Sequence, residues 1–286
     1  MLEVGISVGF MANNPDSMKN LSAAGIKNIE ICFARYSDFE KFDFEKAKLL
    51  ADENNIRLWS LHLPFLPFEE IDPSSTNDDI INFTFDTFSN IIKKGTSIGV
   101  DKFVVHPSLE PIDDSCRMDK LNAAGEFFSR LANEADKYGA VIAIEDLPRT
   151  CLGNCAEEIL HILSFNDKLR VCFDTNHLLK ENNVDFAKKV GDKIITLHVS
   201  DFDFENERHW LCGEGDIDWQ AVYKALVEIN YKGVWLYEVP FNATPTIKRR
   251  PLTCDDYYNN AQEIFSGKKP TPIGERYENL GLWGPL

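Results

Sequence analysis

The sequence predicts an α/β fold, a (β/α)8 TIM barrel, on three observations. Apolar runs alternate with segments of helical period along nearly the whole chain. The strand starts fall roughly 24 to 45 residues apart, the spacing that a strand plus its return helix needs. Most of the runs are close to continuous in Val, Ile, Leu and Cys, as parallel strands buried on both faces should be. An open doubly wound sheet usually has fewer units and a Gly-rich first turn, which GFMANNPDS does not supply.

The units follow in order. EVGISVGF (3–10) is the first strand, and SMKNLSAAG (17–25) is a helix closed by Gly25. NIEICF (28–33) precedes a helix over 43–55. RLWSLHLP (57–64) precedes a long helix over 78–98. KFVVHP (102–107) leads to a helix over 118–139, and VIAIEDLP (141–148) to one over 155–164. RVCFDTNH (170–177) leads to 184–191, IITLHVSDF (194–202) to 218–230, and VWLYEVP (234–240) to 254–267. Residues 1–267 are thus assigned to the barrel. The segment 268–286 reads as an irregular extension packed on the barrel or on a neighbouring subunit, with Trp283 and Leu286 needing an apolar partner.

Bulk composition narrows the partners. A formal charge of -16 repels nucleic acid and anionic lipid at long range, so neither is expected to bind. No apolar run is long enough to cross a membrane, and MLEVGISVGFM lacks a basic leader. Seven scattered cysteines form no disulfide framework and suit a reducing cytoplasm. Cys151 and Cys155 make a lone C-x-x-x-C, which reads as two ordinary thiols, because no second pair completes a zinc site.

In a barrel, the C-terminal ends of the strands face the active site. Polar residues collect there: His62, His106, Glu145, Asp146, Asp174, His177, His198, Asp201 and Glu238. His209 lies in the loop after the seventh strand, and only His161 falls in a helix, where it reads as structural. Glu145, Asp174, His198 and Glu238 form the strongest subset. Three carboxylates and an imidazole converging from four strands suit one divalent metal. The oxygen-rich set favours Mn²⁺ or Mg²⁺, and the imidazole leaves Co²⁺ and Zn²⁺ open. Ion pairing fails as an alternative because the only basic residue near these strand ends is Arg149. Mutual repulsion of the carboxylates calls for a cation.

The order HLPF (62–65), HP (106–107), IEDLPRTCLGN (144–154), CFDTNHLL (172–179), LHVSDFDFENERHWLCGEG (197–215) and YEVP (237–240) resembles the xylose isomerase-like barrel superfamily. Within it the chain is most similar to the sugar phosphate isomerases/epimerases. The resemblance implies that Glu145, Asp174, His198 and Glu238 hold the metal. It also implies that Glu145 and Glu238 exchange a proton α to a carbonyl through a metal-stabilised enediolate. His62, His106, His177, His209 and Arg149 are then expected around a sugar or polyol, free or phosphorylated. Helix capping is the plainer role for His177, and a salt bridge for Arg149. Lys248, Arg249 and Arg250 follow the eighth strand, where barrels often bind phosphate, but basic loop runs are usually just solvated. Phe65, Phe68 and Trp210 are pocket-wall candidates or core. The tail leaves a homo-oligomer open.

The same superfamily holds the endonuclease IV-type abasic-site nucleases, whose zincs the resemblance would place on His62, His106, His177, Glu207 and His209. Charge argues against that alternative: the loop DFDFENERHWLCGEGDID carries seven acids and one arginine, opposite to what a phosphate backbone requires.

Overall fold

A computed structural model describes residues 2–281 and 284–285. Eight parallel strands form the sheet: β1 (Glu3–Val8), β2 (Asn28–Cys32), β3 (Arg57–His62), β4 (Lys102–Val105), β5 (Val141–Glu145), β6 (Arg170–Asp174), β7 (Ile194–His198) and β8 (Val234–Tyr237). Their order is β7-β6-β5-β4-β3-β2-β1-β8, with every ladder parallel. The seam between β7 and β8 closes just beyond β7, where Val199 N–H donates to Leu236 O at 2.8 Å and Val199 O accepts from Glu238 N–H at 3.1 Å. The barrel is therefore nearly closed, and all eight expected strands are present.

The helices are α1 (Pro15–Ala23), α2 (Tyr36–Lys41), α3 (Phe44–Glu53), α4 (Asp78–Ser97), α5 (Arg117–Asp136), α6 (Ala156–Leu163), α7 (Asn183–Val190), α8 (Trp219–Glu228) and α9 (Cys254–Phe265). The eight expected ones start and stop within a few residues of the sequence reading. Their starts follow from local chemistry: Asn14, Asp43, Asn77, Asn182 and Asp218 each accept a backbone N–H of the first turn. The short α2 was not foreseen, since one buried anchor, Phe39, gives no periodic signal over six residues.

Two layers of apolar packing hold the barrel. The large outer cluster lies between strands and helices, as with Phe103, Phe128 and Phe173. Inside, Trp59 on β3 packs against Val234 and Leu236 on β8, strands that are not neighbours, so the contact crosses the barrel. Trp59 Nε1–H donates to Thr196 Oγ on β7 at 3.0 Å, which satisfies the one polar atom of that plug.

The extension was expected to meet apolar surface through Trp283 and Leu286, but both lie outside the described residues. What is described touches the barrel's own loops. β9 (Ile247–Lys248) pairs antiparallel with β10 (Glu275–Arg276), Arg276 pairs with Asp216, and Gly274 N–H donates to Glu214. No helix among the described residues is long and apolar enough to cross a membrane.

Candidate metal centre

Above the Trp59 layer the barrel interior turns polar. Glu145 ends β5, Asp174 ends β6, His198 ends β7, and Glu238 follows β8. One ligand atom from each of the four lies within 4.8 Å of the others. His198 Nδ1 is 3.1 Å from Glu145 Oε1, 3.5 Å from Glu238 Oε2 and 3.9 Å from Asp174 Oδ2. Asp174 Oδ2 and Glu238 Oε2 are shut off from solvent and have no hydrogen-bond partner. Two orphaned carboxylate oxygens aimed at one point are what a divalent cation satisfies, so the residues present fit such an ion.

The electrostatics agree with the geometry. Burial, with repulsion from Glu238 and Glu145, pushes the Asp174 carboxyl well above the usual range. Burial works against ionisation of Glu145 too, but the imidazoles of His198, His106 and His62 outweigh it and hold that carboxyl well below the usual range. Burial disfavours charge on His198, yet Cys172, Glu30, Glu238 and Glu145 raise it well above an ordinary imidazole.

The remaining predicted residues line or flank one cavity of about 220 Å³ over this cluster. Its walls include Phe65, Phe68, His106, Glu110, Arg149, Cys151, His177, Glu207 and His209. His62 lies deeper. Its Nδ1–H donates to Leu63 O at 2.7 Å and its Nε2 is 2.9 Å from Glu145 Oε2, where His106 Nε2 also approaches to 3.5 Å. The His62 ring has an acceptor on each side; burial lowers its pKa, but Glu145 and Glu30 hold it above the ordinary imidazole value.

His177 does not cap a helix, because Asn182 caps α7. His177 Nδ1–H instead donates to Asp146 O at 2.8 Å, leaving Nε2 as an acceptor. His209 Nδ1–H donates to Glu238 O at 3.1 Å, with the same result. Arg149 reaches the cavity but is already engaged, by Glu110 and by Glu207 at 2.7 Å. Arg149 and His209 both hold left-handed backbone, φ 52°, which is uncommon outside glycine and collects at functional sites.

Other polar residues at the strand ends hold the loops in place. Asp146 accepts from Asp174 N–H, and Asp201 from Gly213 N–H and Trp219 Nε1–H. His161 bonds Asn122. Arg249 is buried against Glu214, Arg250 pairs with Asp256, and Lys248 lies over the Tyr277 ring, so each cation of that run has a partner. Trp210 is core, not pocket wall, and Asp218 caps α8. All seven cysteines are free. Sequence reading missed Glu30, fully buried on β2 beside His198, and Glu110, which reaches the rim from the loop after β4. A larger hollow of about 500 Å³ at the opposite barrel end, between Leu2, Trp59 and Tyr231, gathers no comparable carboxylate–imidazole group.

Comparison with known proteins places this arrangement. The family model described as xylose isomerase-like TIM barrel matches residues 18–251. An uncharacterised protein of Methanocaldococcus jannaschii is 29% identical over 59% of this chain, and the match spans 60% of that relative's length. A D-psicose 3-epimerase of Enterocloster bolteae is 27% identical over 46% of the chain and 44% of its own length. Among solved structures, a D-tagatose 3-epimerase-like protein superposes with TM-score 0.75 at 22% identity, covering 93% of this chain and 96% of that one. A 3-keto-D-glucoside 4-epimerase from E. coli gives 0.73 at 15%, covering 93% and 100%. At those identities the structures speak for the fold alone. With the family model covering most of its length, the chain belongs to the xylose isomerase-like TIM barrel family.

Proposed function

We propose that this protein is a divalent-metal-dependent sugar isomerase or epimerase acting on an unphosphorylated monosaccharide or related polyol. The observation that carries the reading is the quartet Glu145, Asp174, His198 and Glu238, with two orphaned oxygens, at the floor of a small cavity. The epimerases among the relatives and structural neighbours support it. Mn²⁺ is the first choice by donor set, with Mg²⁺, Co²⁺ and Zn²⁺ as competitors. When bound, the ion would supply Lewis acidity at a carbonyl oxygen and its adjacent hydroxyl.

The chain's own residues divide the rest of the work. Glu145 and Glu238 rise from β5 and β8 beside the cavity. One of them, ionised, takes the proton from the carbon next to the carbonyl, and the other, protonated, returns one to the opposite face. The centre is inverted, and proton exchange with solvent returns both groups to their starting states. Delivery on the same side to the former carbonyl carbon, with a proton moved from the hydroxyl oxygen to the carbonyl oxygen, gives isomerisation instead. His177 Nε2 and His209 Nε2 accept hydrogen bonds from substrate hydroxyls, and Phe65, stacked on His106 at 4.4 Å, closes one wall against water.

Charge decides against phosphate. Glu110, Glu207, Glu145 and Glu238 all face the cavity, and Arg149, the one arginine or lysine among the described residues of its wall, is engaged by two of them. At about 220 Å³ the space also falls below the roughly 300–1,000 Å³ of sites for larger ligands. The free cysteines support a reducing compartment such as the cytoplasm.

The endonuclease IV-type reading has one observation in its favour: His177, Glu207 and His209 also come within 4.8 Å of one another. Glu207, however, is tied to Arg149, and an acid-rimmed mouth of this size repels a duplex. The test is solvent deuterium exchange over a ketose panel with Mn²⁺ added. Exchange at the carbon beside the carbonyl, lost in Glu145→Gln and Glu238→Gln, supports the epimerase. No exchange with any ketose, together with cleavage of abasic DNA, overturns it.

A further inference from the structure

Glu30 is a buried acid that the chemistry above leaves without a task. It stands mid-strand on β2, fully buried, between Ile29 and Ile31, which point into the outer core. Its hydrogen-bond partners are Ser7 Oγ–H at 3.0 Å, Ser60 Oγ–H at 2.7 Å and the Nε2 of His198 at 2.9 Å. Three strands, β1, β3 and β7, thus each send it one side chain, and none of these is lysine or arginine. Placing a carboxylate there is costly compared with an aliphatic side chain of similar size. Simple barrel filling does not call for it.

The geometry of His198 does. An imidazole offers a metal only the nitrogen that lacks a proton, and a free neutral ring divides between two tautomers. Here Nε2 is directed at Glu30, across the barrel axis from β7 to β2. Nδ1 is directed at Glu145, Glu238 and Asp174. An ionised carboxylate can only accept, so the bond to Glu30 keeps the proton on Nε2 and leaves the Nδ1 lone pair for the ion. It also prevents the ring from turning over.

We propose that Glu30 is a positioning residue of the metal centre, selecting the tautomer and the ring orientation in which His198 presents Nδ1 to the three carboxylates. Ser7 and Ser60 hold the carboxylate in turn. The inference rests on reading the quartet as a divalent-ion site, and its tests separate the two claims.

Binding is read directly, with Mn²⁺ alone titrated calorimetrically into the metal-stripped full chain. Glu30→Gln should weaken Mn²⁺ about 10- to 100-fold, the usual cost of losing such an outer partner. Glu30→Asp, which keeps the charge but withdraws it by one methylene, should fall between. Ser60→Ala, which removes one of the bonds holding Glu30 but leaves its bond to His198, should weaken Mn²⁺ less than Glu30→Gln does. The second measurement needs no variant. In the Zn²⁺-loaded wild type, the ring nitrogen spectrum should show His198 protonated on Nε2 and metal-bound through Nδ1. Wild-type affinity in Glu30→Gln, or the opposite tautomer in the Zn²⁺ form, overturns the role of Glu30 while leaving the metal site intact. Failure of the wild type to bind Mn²⁺ or Zn²⁺ removes the metal reading itself.

Discussion

Two sets of buried charge lie toward the C-terminal end of this barrel, and they are built in opposite ways. The side chains of Glu214 and Arg249 are both shut off from solvent and meet at 2.8 Å; Glu214 also accepts from Leu211 N–H and Gly274 N–H. That acid brings its own cation, and the pair ties the loop after β7 to the segments after β8 and α9. Glu145, Asp174 and Glu238 come together with imidazoles as their only cationic neighbours among the described residues, and two of their oxygens have no hydrogen-bond partner. In the first set each charge meets its counter-charge within the fold, although Arg249 Nε itself has no hydrogen-bond partner. The second set holds unpaired oxygens and no Lys or Arg, which on the function proposed above separates a carboxylate used for architecture from one used for chemistry.

The largest effect should come from the incomplete set. Glu145→Gln or Glu238→Gln is expected to lower turnover by about 10²–10⁴-fold, the range for removing a general acid or base. A steady-state comparison on the best ketose checks it. The fold should survive, because neither change strands a partner charge of Lys or Arg. If either variant kept full turnover, that glutamate would be a ligand only.

The complete set should respond in stability. Glu214→Gln leaves Arg249 buried without its counter-charge and is expected to cost about 3–5 kcal/mol in denaturant unfolding. Asp174→Asn, by contrast, relieves repulsion and should leave the metal-free protein at least as stable as wild type. Equal losses from the two substitutions would erase the distinction.

A third way to sharpen the comparison is pH. Burial lowers the His198 pKa, but Cys172, Glu30, Glu238 and Glu145 raise it well above the ordinary imidazole value, so protons compete with an ion for this ring. Metal affinity should therefore rise with pH, by up to about tenfold per unit, and fall on acidification. A calorimetric pH series at constant ionic strength measures it; a flat profile would contradict the assignment of His198 as ligand. The smallest effect is expected at α9. There Asp256 accepts from Thr253 N–H and pairs with Arg250, which with the backbone bonds holds its pKa at about 2 despite partial burial. Asp256→Asn should cost about 1 kcal/mol. Because the folded pKa is depressed, that contribution is complete above the ordinary carboxylate value and disappears as pH falls through about 2.

What the sequence made legible follows the same division. The strands could be read because burial on both faces leaves runs such as VIAIE and RVCFD nearly unbroken. The quartet could be read because a barrel maps strand ends onto one mouth, so position along the chain stood in for position in space. Glu30 was hidden because NIEIC reads as a buried strand whichever way its acid points, and its partner His198 is 168 residues away. The grip of Glu110 and Glu207 on Arg149 spans 39 and 58 residues between loops, where no periodicity exists to follow. Arg249 and Glu214 were each visible as charged loop residues, but only their packing shows that they neutralise one another.

The central claim is that Glu145, Asp174, His198 and Glu238 await a divalent ion. The direct test is calorimetric titration of Mn²⁺ into metal-stripped protein, in wild type and in Asp174→Asn. The account predicts one ion per chain in the wild type. The same ion should raise thermal stability, by about 2.7 kcal/mol at a hundredfold excess over its dissociation constant, and binding should be lost in the variant. No saturable binding, or binding that Asp174→Asn leaves unchanged, would contradict it.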